Sequence, residues 1–415
     1  MKDKAKVTMA ALSGVPVIMV LGNSMLIPIF PTMKAVLGIS QFQVGLVITL
    51  FSIPAALTIP FLGYLSDRIK RKNVIVPSLI LYGIGGLISG LAPVLLAKPF
   101  TLLLAGRVVQ GIGAGGTAPI AMALVGDIFT SQERSKALGL LESANGMGKV
   151  ISPILGSLTA LLIWYAPFFV YSALSIPVAL AVWFLIKEPD KKKQQRNSAD
   201  YFRGLKKIFA AKGVPLAAAF LAGMVVLFAL FGILSYLSDV LEARYKLTGI
   251  IKGSVLAIPI LALSIVSYLS GTYLQKKRKQ MKLFVTIGLF VVTGALILAP
   301  LLWKFTILFL ASFVLIGIGS GLVLPSLNTL VTSSAPTSER GAVTSLYGSV
   351  RFFGVAMGPP VFGKLMDVGR FPMFFTGAAI AGVAAVLALI LINEKKLLTE
   401  QALEKGKPEK RSRRP

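Results

Sequence analysis

A chain of 415 residues with no histidine and no cysteine has few routes to covalent catalysis. Without imidazole and thiolate there can be no Ser-His-Asp or Cys-His nucleophile system, no disulfide, and none of the usual zinc donor sets. No GxxxxGK[ST] phosphate loop occurs, because Gly148-Lys149 lacks the upstream glycine and the following hydroxyl residue. Neither an enzyme, a metal nor a cofactor is expected. What remains is a handful of charges set deep among apolar residues. Of 16 acids, Glu142 is the one placed well inside an apolar stretch; Asp67, Asp127, Asp239 and Asp367 lie at the ends of such stretches. At helical spacing Glu142 shares a face with Asn145, Lys149 and Ser152. Arg107 and Arg351 are similarly deep. An ionisable group at such depth is costly and is a functional candidate by default. Glu142 is therefore the expected proton carrier, with Arg107 and Arg351 as charged partners and Asp127 as the competing carrier or a gate residue. The alternative is structural: a fixed pair of Glu142 with Lys149 or Arg351, and Arg107 bound to a backbone carbonyl.

The elements that must position these charges are membrane spans. The chain is 55% hydrophobic and 14% charged, against roughly 25% charged in soluble domains, and its mean hydropathy is +0.80. About 20 apolar residues cross a hydrocarbon core of about 30 Å. Twelve such stretches fall between residues 8 and 393. The first is too long for a signal-peptide core and no small-residue cleavage site follows it, so it reads as a span. Twelve spans place both termini on one side. The loops on that side hold 32 Lys and Arg and the opposite loops hold 6, so the positive-inside rule puts both termini in the cytoplasm, with the protein in the cell membrane. The net charge of +27 is thus a matter of topology. The basic loops are short and lack an aromatic stacking platform, which argues against nucleic acid. The basic tail, 394–415, is suited to anionic lipid headgroups. Lys252 and Lys364, near span ends, are expected to snorkel to the interface.

One long polar break, 187–213, divides the spans six and six. The halves repeat at an offset of 206: Gly111-Ile112-Gly113 and Gly115 match Gly317-Ile318-Gly319 and Gly321, Glu133-Arg134 matches Glu339-Arg340, and Ser143, Gly148 and Pro153 match Ser349, Gly354 and Pro359. The expected fold is all-α and polytopic, with twelve transmembrane helices in two six-helix bundles, 1–186 and 214–393, joined by a cytoplasmic linker, 187–213. Two copies in the same orientation suit a transporter whose halves rock about a central site.

Three motifs carry a family resemblance. Gly63-Tyr64-Leu65-Ser66-Asp67-Arg68, followed by Arg71 and Lys72, resembles the GxLxDRxGRK loop of the major facilitator superfamily, with Lys70 in place of the second glycine; a decayed copy, Gly271 and Gln275 to Arg278, lacks the acid. Arg107 with Gln110-Gly111 and the glycines that follow resembles that family's motif B. Gly148, Pro153 and Gly156, with Ser152 and Ser157 where glycines are usual, resemble the antiporter motif of the twelve-helix drug:proton branch. The resemblance covers about residues 8–393 and implies proton-driven efflux by alternating access, with Gly63, Asp67, Arg68, Arg71 and Lys72 as a gating motif.

The expected activity is proton-coupled antiport of amphipathic small molecules. A proton-coupled importer or a lipid or glycolipid flippase of the same fold is the alternative, and a non-transporting sensor is disfavoured because the tail is too short to be an effector domain. The deep charges Arg107, Lys149, Arg351 and Glu142 sum to +2, which gives weight to anionic, zwitterionic or neutral substrates. Asn23, Met25, Asn145, Lys149, Tyr236 and Tyr347, with Phe352 and Phe353, are candidate cavity residues. The expected partners are a small-molecule substrate, protons and membrane lipids, and the chain is expected to act as a monomer.

Overall fold

The computed structural model describes residues 3–129, 131–189, 198–276, 280–336 and 339–398. The middle of the expected linker, the basic cluster Lys277 to Lys279, and the tail from residue 399 lie outside the described residues. Helix α1 (Asp3–Ser24), a 3-10 turn (Ile27–Ile29) and α2 (Phe30–Leu37) make the first crossing. Pro28 and Pro31 explain the break, since neither can donate to a preceding turn. Crossings two and three are α3 (Gln41–Arg68) and α4 (Lys72–Leu95). The fourth is split into α5 (Phe100–Ala114) and α6 (Ala118–Ile128), with Gly115, Gly116 and Pro119 at the break. Then come α7 (Ser131–Ala160), α8 (Ala166–Leu185), α9 (Ser198–Ala243), α10 (Gly249–Lys276), α11 (Met281–Leu301), α12 (Thr306–Ser333), α13 (Arg340–Val368), α14 (Arg370–Leu391) and the short α15 (Glu394–Leu397).

The helices alternate in direction, so the described ends near both termini share one side, here called the terminus side; the loops after α2, α4, α7, α9, α11 and α13 mark the far side. Helix α9 begins inside the segment expected to be a linker. Its 46 residues are about 69 Å long, so its first turns stand beyond the apolar slab. Among the described residues ten helical segments are long and apolar enough to cross a membrane. The two expected spans outside that set are α7 and α13, the helices that carry Glu142 and Lys149 and Arg351. The chain is therefore a membrane-spanning protein whose least lipid-like helices lie between its two bundles.

Within the first bundle α4 packs on α5 and α8; within the second, α11 packs on α12 and α14. The bundles meet where α3 lies along α13 and where α7 lies along α10. Close approach there depends on missing side chains: a Cβ on Gly45 of α3 would stand 2.5 Å from the Pro360 nitrogen of α13. The repeat shows the same device inside each half. A Cβ at Gly111 would collide with the Phe51 carbonyl, and one at the equivalent Gly317 with the Pro259 carbonyl. Small residues of this kind let membrane helices pack backbone to backbone.

Candidate functional site

Helix α7 has two opposed faces. Leu140, Met147, Ile151 and Leu158 form an exposed apolar stripe that suits lipid. The opposite face holds Glu142, Asn145, Lys149, Ser152 and Gly156, and its exposure falls along the helix. Glu142 is exposed, Asn145 and Lys149 are half-buried, and Ser152 and Gly156 are buried. Helix α13 repeats the gradient on the face away from its exposed Met357: Thr344 is exposed, Gly348 and Arg351 are half-buried, and Val355 is buried. The two faces are related by the sequence repeat. Together they line a wedge-shaped opening that is exposed toward the terminus side and closes toward the far side. Along it, Lys149 lies within the electrostatic reach of both Arg351 and Glu142. Arg351 donates to Asn328 Oδ1 at 3.1 Å and lies 5.4 Å from the Tyr347 ring centroid.

Several expected positions are corrected. Glu142 is exposed, not withdrawn from water, because it sits where the wedge is widest; among the described residues it forms no ion pair with Lys149 or Arg351. Arg107 is fully buried inside the first bundle. Its donors go to the Val47 carbonyl at 2.9 Å, Gln110 at 2.5 Å and Asn23 at 2.7 Å, with the Phe51 ring 4.4 Å away. It ties the first, second and fourth crossings together through neutral acceptors. Asn23 is spent on Arg107 and on Ser52, and Met25 is covered where its carbonyl faces Gly156. Tyr236 packs edge-on against Phe374 and Tyr347 against Phe220 inside the second bundle. In this conformation none of Asn23, Met25, Tyr236 and Tyr347 is open to the wedge, whereas Asn145 and Lys149 line it. The antiporter-type residues serve packing: Gly148 faces Val17 of α1, and the Pro153 carbonyl faces Gly253 of α10. An apolar groove of about 720 Å³ between α11 and α14, lined by Phe290, Ile297, Phe375 and Val386, has no charged lining and opens outward.

The far side is closed by charges that bridge the bundles. Lys252 does not snorkel; it is 2% exposed. Its Nζ donates to Glu242 Oε2 at 2.7 Å and to the Pro28 carbonyl of the other bundle at 2.6 Å. Lys34 lies 3.8 Å from Asp239, Ser238 donates to the Ile27 carbonyl at 2.7 Å, and Gln41 donates to Ser235 at 3.4 Å. From the sequence, Asp239 lies at a span end and Lys34 in a loop on the side opposite the termini, and Glu242 carries no signal of its own. The available signal was an acid ten residues before an in-span lysine, with Gly249 turning the chain between them.

On the terminus side the loop between α3 and α4 is an ordered cluster. Arg71 pairs with Asp67 at 2.9 Å and with Asp127 at 2.5 Å, and donates to Ser66 at 3.0 Å. Glu188, which the sequence reading did not single out, accepts the backbone N–H of Arg71 at 2.8 Å and of Lys72 at 3.1 Å. It caps the start of α4 and fastens the chain after α8 to this loop. Arg68 lies 4.4 Å over Tyr64 and Lys72 5.0 Å over Trp183. Gly63 faces Ser345 of α13 so closely that a Cβ would stand 3.1 Å from its hydroxyl.

Residues 12–359 match the sequence profile of the Major Facilitator Superfamily. The chain is similar to the bacillibactin exporter of Bacillus subtilis, with 41% identity over 95% of this chain and 98% of that protein. It is also similar to multidrug resistance protein 1 of the same organism, with 26% identity over 93% of this chain and 97% of that protein. Among solved structures, a bacterial homologue of the human lysosomal transporter Spinster in an inward-facing, occupied conformation aligns over 96% of this chain and all of its own, with a TM-score of 0.77 and 17% identity. The profile match, the two six-helix bundles and the wedge between them agree: the chain belongs to the Major Facilitator Superfamily of transporters.

Proposed function

We propose that this protein is a secondary active exporter that drives an amphipathic small molecule out of the cell by proton antiport. The observation that carries the reading is a polar wedge, open to the terminus side and sealed at the far side by Lys252 and Lys34, in a chain 41% identical to a bacillibactin exporter. In this reading the terminus side is cytoplasmic, which the bias of basic residues to that side supports, and residues 1–186 and 214–393 are the two moving bundles. Substrate enters the wedge from the cytoplasm, the far-side bridges part, and the loop cluster around Arg71 rearranges as the terminus side closes. Glu142 lies at the exposed mouth of the wedge, where it can exchange a proton with the cytoplasm.

The test uses purified full-length protein in vesicles with an imposed pH gradient. Bacillibactin and a panel of amphipathic dyes are followed for uphill movement, with and without a protonophore. Protonophore-sensitive accumulation supports the reading. Accumulation that ignores the pH gradient removes the proton, and absence of net movement for every compound in both directions removes export.

A further inference from the structure

Most described buried and half-buried cations have partners: Arg71 pairs with Asp67 and Asp127 and Lys34 with Asp239, while Arg370, whose buried Nε also lacks an acceptor, lies over the Trp303 ring on the far side. Arg107 has three acceptors, Lys252 has a carboxylate and a carbonyl, and Lys212 has the carbonyls of Ser334 and Leu397. These cations are consumed by the fold. Lys149 and Arg351 are not. Among the described residues Lys149 has no hydrogen bond and no ion pair. Arg351 uses one nitrogen on the neutral Asn328, and its buried Nε has no acceptor. Both lie on the inward faces of α7 and α13, one from each bundle, at the depth where the wedge narrows. Lys149 lies within the electrostatic reach of Arg351, and like charges brought this close are not what packing alone would select. The nearest acid, Glu142, stands two turns toward the opening and is hydrated. Two cations with spare donors on the inward faces of α7 and α13, one from each bundle, form a site for an anion.

We propose that Lys149 and Arg351 bind an acidic group of the transported molecule, so that the exported species is an amphipathic anion. This rests on the export reading above. Because the two cations belong to opposite bundles, a bound anion draws the walls of the wedge together, while the empty site resists closure by like-charge repulsion. Substrate thereby favours the closed terminus side through its differential interaction with the two states. Glu142 competes with the substrate's acid for the same cations, and the half-buried Asn145 supplies a neutral amide on the same wall.

The experiment uses the full-length protein and three probes with one hydrophobic body: 1-pyrenebutyrate, 1-pyrenebutanol and a pyrenebutyl-trimethylammonium salt. Pyrene fluorescence reports binding. The acid is expected to bind at least roughly tenfold more tightly than the alcohol or the ammonium, a preference that weakens as salt rises. Lys149→Gln and Arg351→Gln should each remove most of that preference without changing the affinity for the alcohol, and Lys149→Arg should restore it. Retained selectivity in both glutamine variants overturns the assignment, as does equal or tighter binding of the alcohol or ammonium, or failure of the acid to bind the wild type. If a variant does not fold, the wild-type ranking and its salt dependence still decide. Uphill transport of the ammonium probe in place of the acid would leave export standing and remove the anion; absence of all transport alongside selective acid binding would do the reverse.

Discussion

Replacing Lys252 by methionine should loosen the far-side closure by a calculable amount. The lysine makes two bonds, but only one changes when the bundles part. Glu242 belongs to the same bundle as Lys252, so that ion pair, at 2.7 Å, survives the movement. The bond to the Pro28 carbonyl, at 2.6 Å, crosses the interface and is broken. A hydrogen bond to a charged group contributes about 1.5–3 kcal/mol. Water entering the opened far side returns part of this to the ammonium, which leaves a net preference for the closed state of about 1–2 kcal/mol, or roughly 5–30-fold in population. Methionine preserves the length of the side chain and removes both the charge and the bond. The chain has no cysteine, so a single cysteine at Ser235, which is 2% exposed at this interface, reports opening through its rate of reaction with a membrane-impermeant thiol reagent. Lys252→Met should raise that rate about tenfold. Glu242→Gln, which leaves the Pro28 bond in place, should raise it much less. Unchanged labelling in Lys252→Met would refute the reasoning, and equal acceleration by Glu242→Gln would show that the cluster supports the second bundle and does not bridge the two.

Glu142→Gln should abolish proton-driven accumulation in vesicles while leaving downhill exchange of substrate within about twofold of wild type; accumulation that persists would move the proton to Asp127 or Asp67. Asp127→Asn removes one of the two carboxylates on Arg71 and should lower turnover more than substrate affinity, read as a fall in maximal rate at unchanged half-saturation. Single cysteines at Lys98 and Lys187, both exposed, should react from opposite sides of intact cells, and same-side reaction would end the orientation.

Much of this architecture is legible because membrane physics writes it in simple terms. The length of apolar runs, the side bias of Lys and Arg, and the repeat at 206 residues each report one property averaged over many residues. The site was harder to read because depth along a span does not say which way a side chain faces. Glu142, Arg107 and Arg351 look alike as charges in apolar stretches. The fold separates them: Glu142 is hydrated, Arg107 is consumed by Val47, Gln110 and Asn23, and Arg351 is left with spare donors. The exposed stripe on α7 could have signalled this, since Leu140, Met147, Ile151 and Leu158 mark the lipid side and so turn Glu142, Asn145 and Lys149 inward. The pairing of Lys252 with Pro28 had no such signal, because a backbone carbonyl freed by a proline break carries no residue type to search for. Glu188 was hidden in the same way: its partners are the N–H groups at the start of α4.

The charge of the substrate also decides how transport is powered. Expelling a monovalent anion from a negative interior and admitting one proton both move positive charge inward, so one cycle carries two charges. The membrane potential then supplies about 4.6 kcal/mol per 100 mV, and the proton adds about 1.4 kcal/mol per pH unit. Exchange of a monovalent cation for one proton carries no net charge and gains only the second quantity. Lys149 and Arg351, which form no ion pair with a carboxylate among the described residues, suit the first case. Vesicles loaded with potassium and treated with valinomycin set the potential while pH is held equal on both sides. An inside-negative potential, with the terminus side of the protein facing the lumen, should then drive export without any pH gradient, and should fail to do so for Arg351→Gln. Export that responds to the pH gradient and ignores the potential would show an electroneutral cycle, and a monovalent cation would have to replace the anion between the two bundles.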